Sequence, residues 1–171
     1  TGNATARGQN HFGAGCMFAG GTVEIADSIL LRNDINCRGY SGIGDEGYGG
    51  GIYSTAPLTL QNCSILSNTI SGSRMYMCGG GIFAAATLTV SNCIFRGNRA
   101  IGENNGGTAG GANPFMYGGG IFAGGALTVL NSVIVGNRLT ALYQGSAYGG
   151  GIYGGAMSLR NVLIAGNFIA A

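Results

Sequence analysis

A glycine triplet recurs along this chain 19 residues before an asparagine, or 18 in the last copy, and that spacing leaves few folds open. Gly49-Gly50-Gly51-Ile52-Tyr53 is written again as Gly79-Gly80-Gly81-Ile82-Phe83, Gly118-Gly119-Gly120-Ile121-Phe122 and Gly149-Gly150-Gly151-Ile152-Tyr153, and in worn form as Ala14-Gly15-Cys16-Met17-Phe18. Each opening leads into an alternating run: Val23-Glu24-Ile25, Leu58-Thr59-Leu60, Leu88-Thr89-Val90, Leu127-Thr128-Val129 and Met157-Ser158-Leu159. Each copy then closes on an asparagine, at Asn33, Asn68, Asn98, Asn137 and Asn167; counted from Asn3, the closing residue recurs after 30, 35, 30, 39 and 30 residues. One copy is too short to bury an apolar face alone, so copies with a common layout have to stack. The chain reads as a solenoid.

Within a copy the pattern is that of strands. Leu58 and Leu60 point one way and Thr59 the other, β-branched and aromatic residues dominate, and strong helix formers are scarce. Three short strands per coil are expected: the Gly-Gly-Gly-Ile-Tyr segment, the Leu-Thr-Leu segment and a segment such as Cys63-Ser64-Ile65-Leu66. Pairing in parallel with the next coil, at a rise of roughly 4.8 Å, they make an all-β parallel β-helix of about five coils in a single domain over residues 1–171. The insertions 34–48, 69–78, 99–117 and 138–148 all fall between an Asn and the next Gly triplet, so the loops leave one corner, where a binding surface would be built.

Stacking fixes which residues share a column. Four apolar columns fill the bore: Met17, Ile52, Ile82, Ile121, Ile152; Val23, Leu58, Leu88, Leu127, Met157; Ile25, Leu60, Val90, Val129, Leu159; and Leu30, Ile65, Phe95, Ile134, Ile164. The closing residues Asn33, Asn68, Asn98, Asn137 and Asn167 form a structural ladder, because amides stacked on one another satisfy both donor and acceptor. A second polar column runs through Asp27, Asn62, Asn92, Asn131 and Asn161. The sequons at Asn3 and Asn62 lie in these ladders, which argues against glycan attachment.

The outside carries two features. Phe18, Tyr53, Phe83, Phe122 and Tyr153 follow the inward Ile or Met and should form an outer aromatic column, either stacking on itself under a loop or contacting a neighbour. Ile29, Ser64, Ile94, Val133 and Leu163 make an apolar stripe, larger than monomers usually expose, and a partner or a neighbouring solenoid is expected to cover one of these faces. Neither end carries a polar capping repeat, which suits a segment of a longer array or a unit that stacks end to end. Of the five Cys, Cys63 and Cys93 share a column at a spacing a disulfide tolerates, although small buried filler is the favoured reading, since Ser28, Ser132 and Val162 occupy the column elsewhere; Cys37 and Cys78 stand at loop ends and are expected to oxidise more readily.

Several functions are disfavoured. The net charge of +2 comes from scattered Arg without a basic cluster, so nucleic acid has no electrostatic footprint. No apolar run is long enough for a transmembrane helix, and residues 1–30 do not resemble a signal peptide. A single His and no Cys-x-x-Cys argue against a metal site, and nothing calls for a cofactor. Polysaccharide cleavage needs paired carboxylates or a calcium cluster; the best candidates, Asp45 or Glu46 with Glu103, are too sparse to favour an enzyme.

The Gly-Gly-Gly-Ile openings and Phe95-Arg96-Gly97-Asn98 resemble the Gly-Gly-Ala-Ile and Phe-x-x-Asn repeats of the chlamydial polymorphic outer-membrane proteins and related right-handed parallel β-helix surface proteins. The resemblance spans essentially the whole chain, with a third Gly in place of Ala and Ile65, Ile134 and Ile164 in place of the Phe. It implies a right-handed solenoid at the cell surface or outside the cell, in a structural or adhesive role as a stalk, passenger or filament-forming subunit. Its partner would be a protein or another copy, bound end to end or laterally, or a surface glycan. The alternatives are a carbohydrate-binding or pectate-lyase-like polysaccharide-cleaving β-helix and a laterally docked accessory subunit of a larger assembly.

Overall fold

The computed structural model describes residues 3–6, 11–13, 15–37, 46–73, 76–103, 115–141 and 145–170. Among them there is no helix: the chain winds as a parallel β-solenoid, and every strand pairs in parallel with its counterpart one turn away. The Gly-led strands stack five deep, which makes about four complete turns where five closed coils are expected.

A turn holds more strands than the three read from the sequence. One turn runs through Glu46–Tyr48, Ile52–Ser54, Leu58–Gln61, Ser64–Leu66 and Thr69–Ser73. These belong to four sheets, because the third and fourth strands join one sheet through the continuous strands Leu127–Val135 and Met157–Ala165 of later turns. The segments 34–48, 69–78, 99–117 and 138–148 are therefore not simply loops. Each begins and ends in strand, as in Arg99–Glu103 and Phe115–Tyr117. What differs between turns lies between these two strands, at the corner expected to carry the insertions. The extra strands escape a hydropathy reading because their inward residues include Ala100, Gly47, Cys37 and Met77, an irregular set with little apolar contrast.

All four expected columns are in register. Ile52 pairs with Met17 and Ile82, Leu58 with Val23 and Leu88, Leu60 with Ile25 and Val90, and Ile65 with Leu30 and Phe95. They form one apolar lobe, in which each fully buried Ile or Leu contributes about 1.5–3 kcal/mol. A second, unanticipated lobe is built by the extra strands from Ile35, Cys37, Ile70, Met77, Met116 and Leu139, among others.

Between the lobes the turn is pinched, and the Gly triplet makes the pinch. The first Gly turns the chain at positive φ, +72° at Gly79, a conformation that favours a residue without Cβ. A Cβ on the second, Gly80, would lie 2.2 Å from the Gly119 carbonyl oxygen of the next turn and 2.5 Å from the Arg99 carbonyl carbon across the bore. A Cβ on the third, Gly81, would lie 3.0 Å from Cγ of Asn98. The same contacts recur at Gly50-Gly51 against Thr69 and Asn68 and at Gly119-Gly120 against Arg138 and Asn137. The triplet thus lies directly against the Asn ladder, and no side chain fits between them.

That crossing explains a polar column in the interior. Asn33, Asn68, Asn98 and Asn137 are all buried. Each of the four gives its Nδ2 to Oδ1 of the ladder residue in the next turn, at 2.7–2.9 Å. The same oxygen also accepts the backbone N–H of the donating residue, at 3.0–3.1 Å. From Asn68 onward, the second Nδ2 hydrogen goes to a backbone carbonyl of the preceding turn: Leu30, Ile65, Phe95 and Ile134 in order. Asparagine alone supplies two donors and a twofold acceptor on so short a stem.

Candidate functional site

Where the triplet pulls the backbone inward, the outer wall folds into a re-entrant corner. In the turn 46–73, Glu46 and Tyr48 on one sheet and Tyr53 on the next all point away from the core, since Gly47, Ile52 and Ser54 are the buried members of their strands. The positive-φ turn at Gly49 joins the two strands, and it brings the outward rings of Tyr48 and Tyr53 to 5.2 Å, stacked. On a convex surface outward side chains of adjacent sheets diverge; here they converge.

Two aromatic columns therefore face each other along the solenoid. The expected one stacks on itself: Phe83 lies 4.7 Å from Phe122 at an interplanar angle of 1°, Phe122 lies 5.5 Å from Tyr153, and Tyr53 meets Phe83 edge-on at 5.2 Å. Phe18 is in backbone register with Tyr53, and its side chain lies outside the described residues. The second column, missed from the sequence, is Tyr48, Cys78, Tyr117 and Tyr148. Its signal was the residue before each triplet: three times Tyr, once Cys. Tyr48 packs on Phe83 at 4.5 Å, Tyr117 on Tyr153 at 4.6 Å, and Tyr117 on Tyr148 at 5.4 Å. Stacked and edge-on pairs of this kind add about 0.5–1.5 kcal/mol each beyond their buried area.

Between Tyr48 and Tyr148 the second column lacks one ring. At Cys78 a thiol stands where the turns on either side carry Tyr48 and Tyr117, and an open cleft of about 300 Å³ lies there. Phe83 and Phe122 line it along the first column, Tyr76 adds a further ring, and Tyr76 stacks on Phe115 at 5.4 Å. The carboxylate of Glu46 also lines the cleft and accepts a hydrogen bond from the Tyr48 hydroxyl. Burial first, and then that bond to Glu46, hold the Tyr48 phenol well above its ordinary range. Burial pushes the Cys78 thiol up to about 12, which removes its nucleophilic form at neutral pH.

The other sequence candidates are dispersed. Cys63 and Cys93 share a column and are free thiols, not a disulfide. Each sulfur donates to the carbonyl two residues back, Gln61 at 3.2 Å and Ser91 at 3.1 Å, and the Cys93 sulfur accepts the Cys63 backbone N–H at 3.3 Å. Ser132 repeats the arrangement with its hydroxyl, so cysteine acts here as a larger serine. Cys37 and Cys78, expected to be the oxidisable pair, are buried at 0% and 4% exposure, whereas Cys16 is exposed. Asp27, Asn62, Asn92, Asn131 and Asn161 all take positive φ between 48° and 54° and form an exposed turn column, in which Asn62 donates to Asp27 at 2.9 Å. Asp45 and the side chains of Asn3 and Glu103 lie outside the described residues.

The stripe on the outer face of the adjoining sheet is exposed at Ile29 (71%), Ile94 (41%) and Leu163 (56%) and half-buried at Ser64 and Val133. Among the described residues no helix is long and apolar enough to cross a membrane, and no group of His, Cys, Asp and Glu has the geometry of a metal site. No protein-family model, no curated protein and no solved structure matches the chain.

Proposed function

We propose that this chain is a structural and adhesive β-solenoid of the cell surface or extracellular space, and that the aromatic corner is the flank with which it binds. The observation that carries this reading is the cleft beside Cys78, where rings from two sheets and a carboxylate converge on one open volume. Its walls are anchored by sheet hydrogen bonds and ring stacking over several turns, so little ordering entropy is lost on binding. The occupant in this reading is a protein, a second copy or a surface glycan. The exposed stripe through Ile29, Ile94 and Leu163 offers a separate lateral contact for self-association.

A second reading, carbohydrate binding or cleavage, is favoured by the presence of Glu46 among the rings of the cleft. One experiment separates adhesion from cleavage. Wild-type protein and the Tyr117→Ala and Glu46→Gln variants are passed over immobilised glycans and a surface bearing wild-type protein, while reducing ends and unsaturated products are assayed in the eluate. Retention that Tyr117→Ala abolishes, without products, supports the adhesive reading. Product release lost in Glu46→Gln overturns it in favour of an enzyme.

A further inference from the structure

The gap in the Tyr48, Cys78, Tyr117 and Tyr148 column has a chemistry of its own, and from it we infer that the cleft binds a methylated ammonium group, of the kind carried by choline. This deepens the proposal that the aromatic corner is the binding flank, and rests on it.

The size of the gap comes first. Tyr48 and Tyr117 belong to turns on either side of Cys78, so their anchors stand about 9.5 Å apart, two strand spacings. A group seated midway lies about 5 Å from either anchor, on the scale of the limit of about 6 Å for attraction between a cation and a ring face. Both rings lean toward the later turn: Tyr48 lies 4.5 Å from Phe83 against 5.2 Å from Tyr53 of its own turn, and Tyr117 lies 4.6 Å from Tyr153 against 6.0 Å from Phe122 of its own, so Tyr48 covers one side of the gap and the open space lies toward Tyr117. Phe83 and Phe122, stacked in parallel, present a continuous wall behind it.

Charge decides the class of occupant. Among the described residues the lining consists of phenol and phenyl rings, one thiol and the Glu46 carboxylate, with no Lys or Arg. Every one of these groups is electron-rich, which favours a cation over a neutral or anionic ligand. Desolvation then decides which cation. The Glu46 carboxylate and the phenol oxygens accept only part of what an ammonium with several N–H donors offers, and the ring faces that make up most of the lining accept none, so burying such a group would leave donors unmatched at a cost of several kcal/mol. A fully methylated ammonium has no N–H to satisfy and presents methyl groups to the rings. Such a group is found on free choline and on choline lipid headgroups.

The test uses the protein's own tyrosines, since the chain has no Trp. Tyrosine fluorescence is titrated with choline, with 3,3-dimethylbutanol as its uncharged counterpart of the same shape, and with vesicles of phosphatidylcholine or phosphatidylglycerol. Saturable choline binding at least tenfold tighter than the alcohol is expected, with Glu46→Gln weakening it. Cys78→Tyr places the missing ring in the gap and should abolish binding while leaving the circular dichroism and the melting midpoint in place. Phosphatidylcholine vesicles that bind identify a headgroup as the source; binding of choline alone identifies the free cation. Equal binding of choline and the alcohol, or choline binding that survives Cys78→Tyr in a folded protein, overturns the inference. If choline fails while surface retention still depends on Tyr117, only the cation assignment falls; if both fail, the binding flank falls with it.

Discussion

Asn68 spends both a backbone and a side-chain donor on a single oxygen, Oδ1 of Asn98, with its N–H at 3.0 Å and its Nδ2 at 2.9 Å. Asn98 then does the same to Asn137. The ladder is therefore directional: each residue supports the one before it and depends on the one after it.

Removing a middle rung should be costly. Asn98→Ala strands the N–H and one Nδ2 hydrogen of Asn68, takes from Oδ1 of Asn137 its side-chain donor while the backbone N–H of residue 98 remains, and leaves the Ile65 carbonyl without its Nδ2 donor. At about 1–3 kcal/mol for each buried group left without a partner, a loss of roughly 3–5 kcal/mol is expected in urea unfolding. Asn98→Asp should fare no better, because a carboxylate accepts from Asn68 but cannot donate to Asn137 or to the Ile65 carbonyl. Loss of less than about 1 kcal/mol in both variants would contradict the ladder as described.

The position before each ladder residue offers stabilisation in the opposite sense. Arg32 and Ser67 hold φ of 53° and 52°, where later turns place Gly97, Gly136 and Gly166. Ser67→Gly should raise stability by about 1 kcal/mol, because a residue with Cβ is strained in this conformation and glycine is not. Gly97→Ala should lower it by a similar amount, from backbone strain alone, since a Cβ there meets only the Ser67 hydroxyl at an ordinary 3.5 Å. Thermal melting of the two variants checks both signs.

Gly80→Ala tests the pinch. The added methyl would lie 2.2 Å from the Gly119 carbonyl oxygen and 2.5 Å from the Arg99 carbonyl carbon, both backbone atoms held by rung-to-rung bonding. Overpacking ordinarily costs about 1–3 kcal/mol, and the top of that range or beyond is expected where neither wall can shift. Gly21→Ala, with nothing within 4 Å of its new methyl, serves as the control and should be close to neutral.

Thiol chemistry should report the burial of four of the five cysteines. In native protein at pH 8 an alkylating reagent should modify Cys16 at once and leave Cys37, Cys63, Cys78 and Cys93 untouched until the chain is unfolded. The alkaline limb follows from Cys78. Its folded-state value, about 12, stands above the ordinary 9.0, so the neutral thiol belongs to the folded state. Its contribution is complete below pH 9 and is lost as pH climbs through 12. Tyr48 shifts in the same direction. A melting midpoint that falls between pH 9 and 12, and falls less in Cys78→Ser, is the expected result.

The triplets and the Asn spacing made much of this architecture legible before any coordinates. Met17, Ile52, Ile82, Ile121 and Ile152 could be aligned by inspection, and they do stack in register. The strands at 34–37 and 99–103 could not, because they flank the segments whose length changes from turn to turn, so no constant spacing marks them. Tyr48 escaped notice for a different reason. Its residue type before the triplet was visible, but nothing in the linear order shows that the backbone bends inward at Gly49 and turns Tyr48 toward Tyr53.

Repetition alone determined the solenoid, the columns and the two polar ladders, because stacked copies leave equivalent residues no choice but to lie over one another. Only the tertiary structure decided the pinched cross-section, the second apolar lobe and the aromatic corner. These arise from how each turn closes, with Gly81 lying against Asn98 and Tyr48 turned onto Phe83 of the next turn, contacts that a recurring spacing in the sequence does not by itself reveal. Periodicity encodes what lies above and below a residue; what lies across the bore from it depends on how each turn closes.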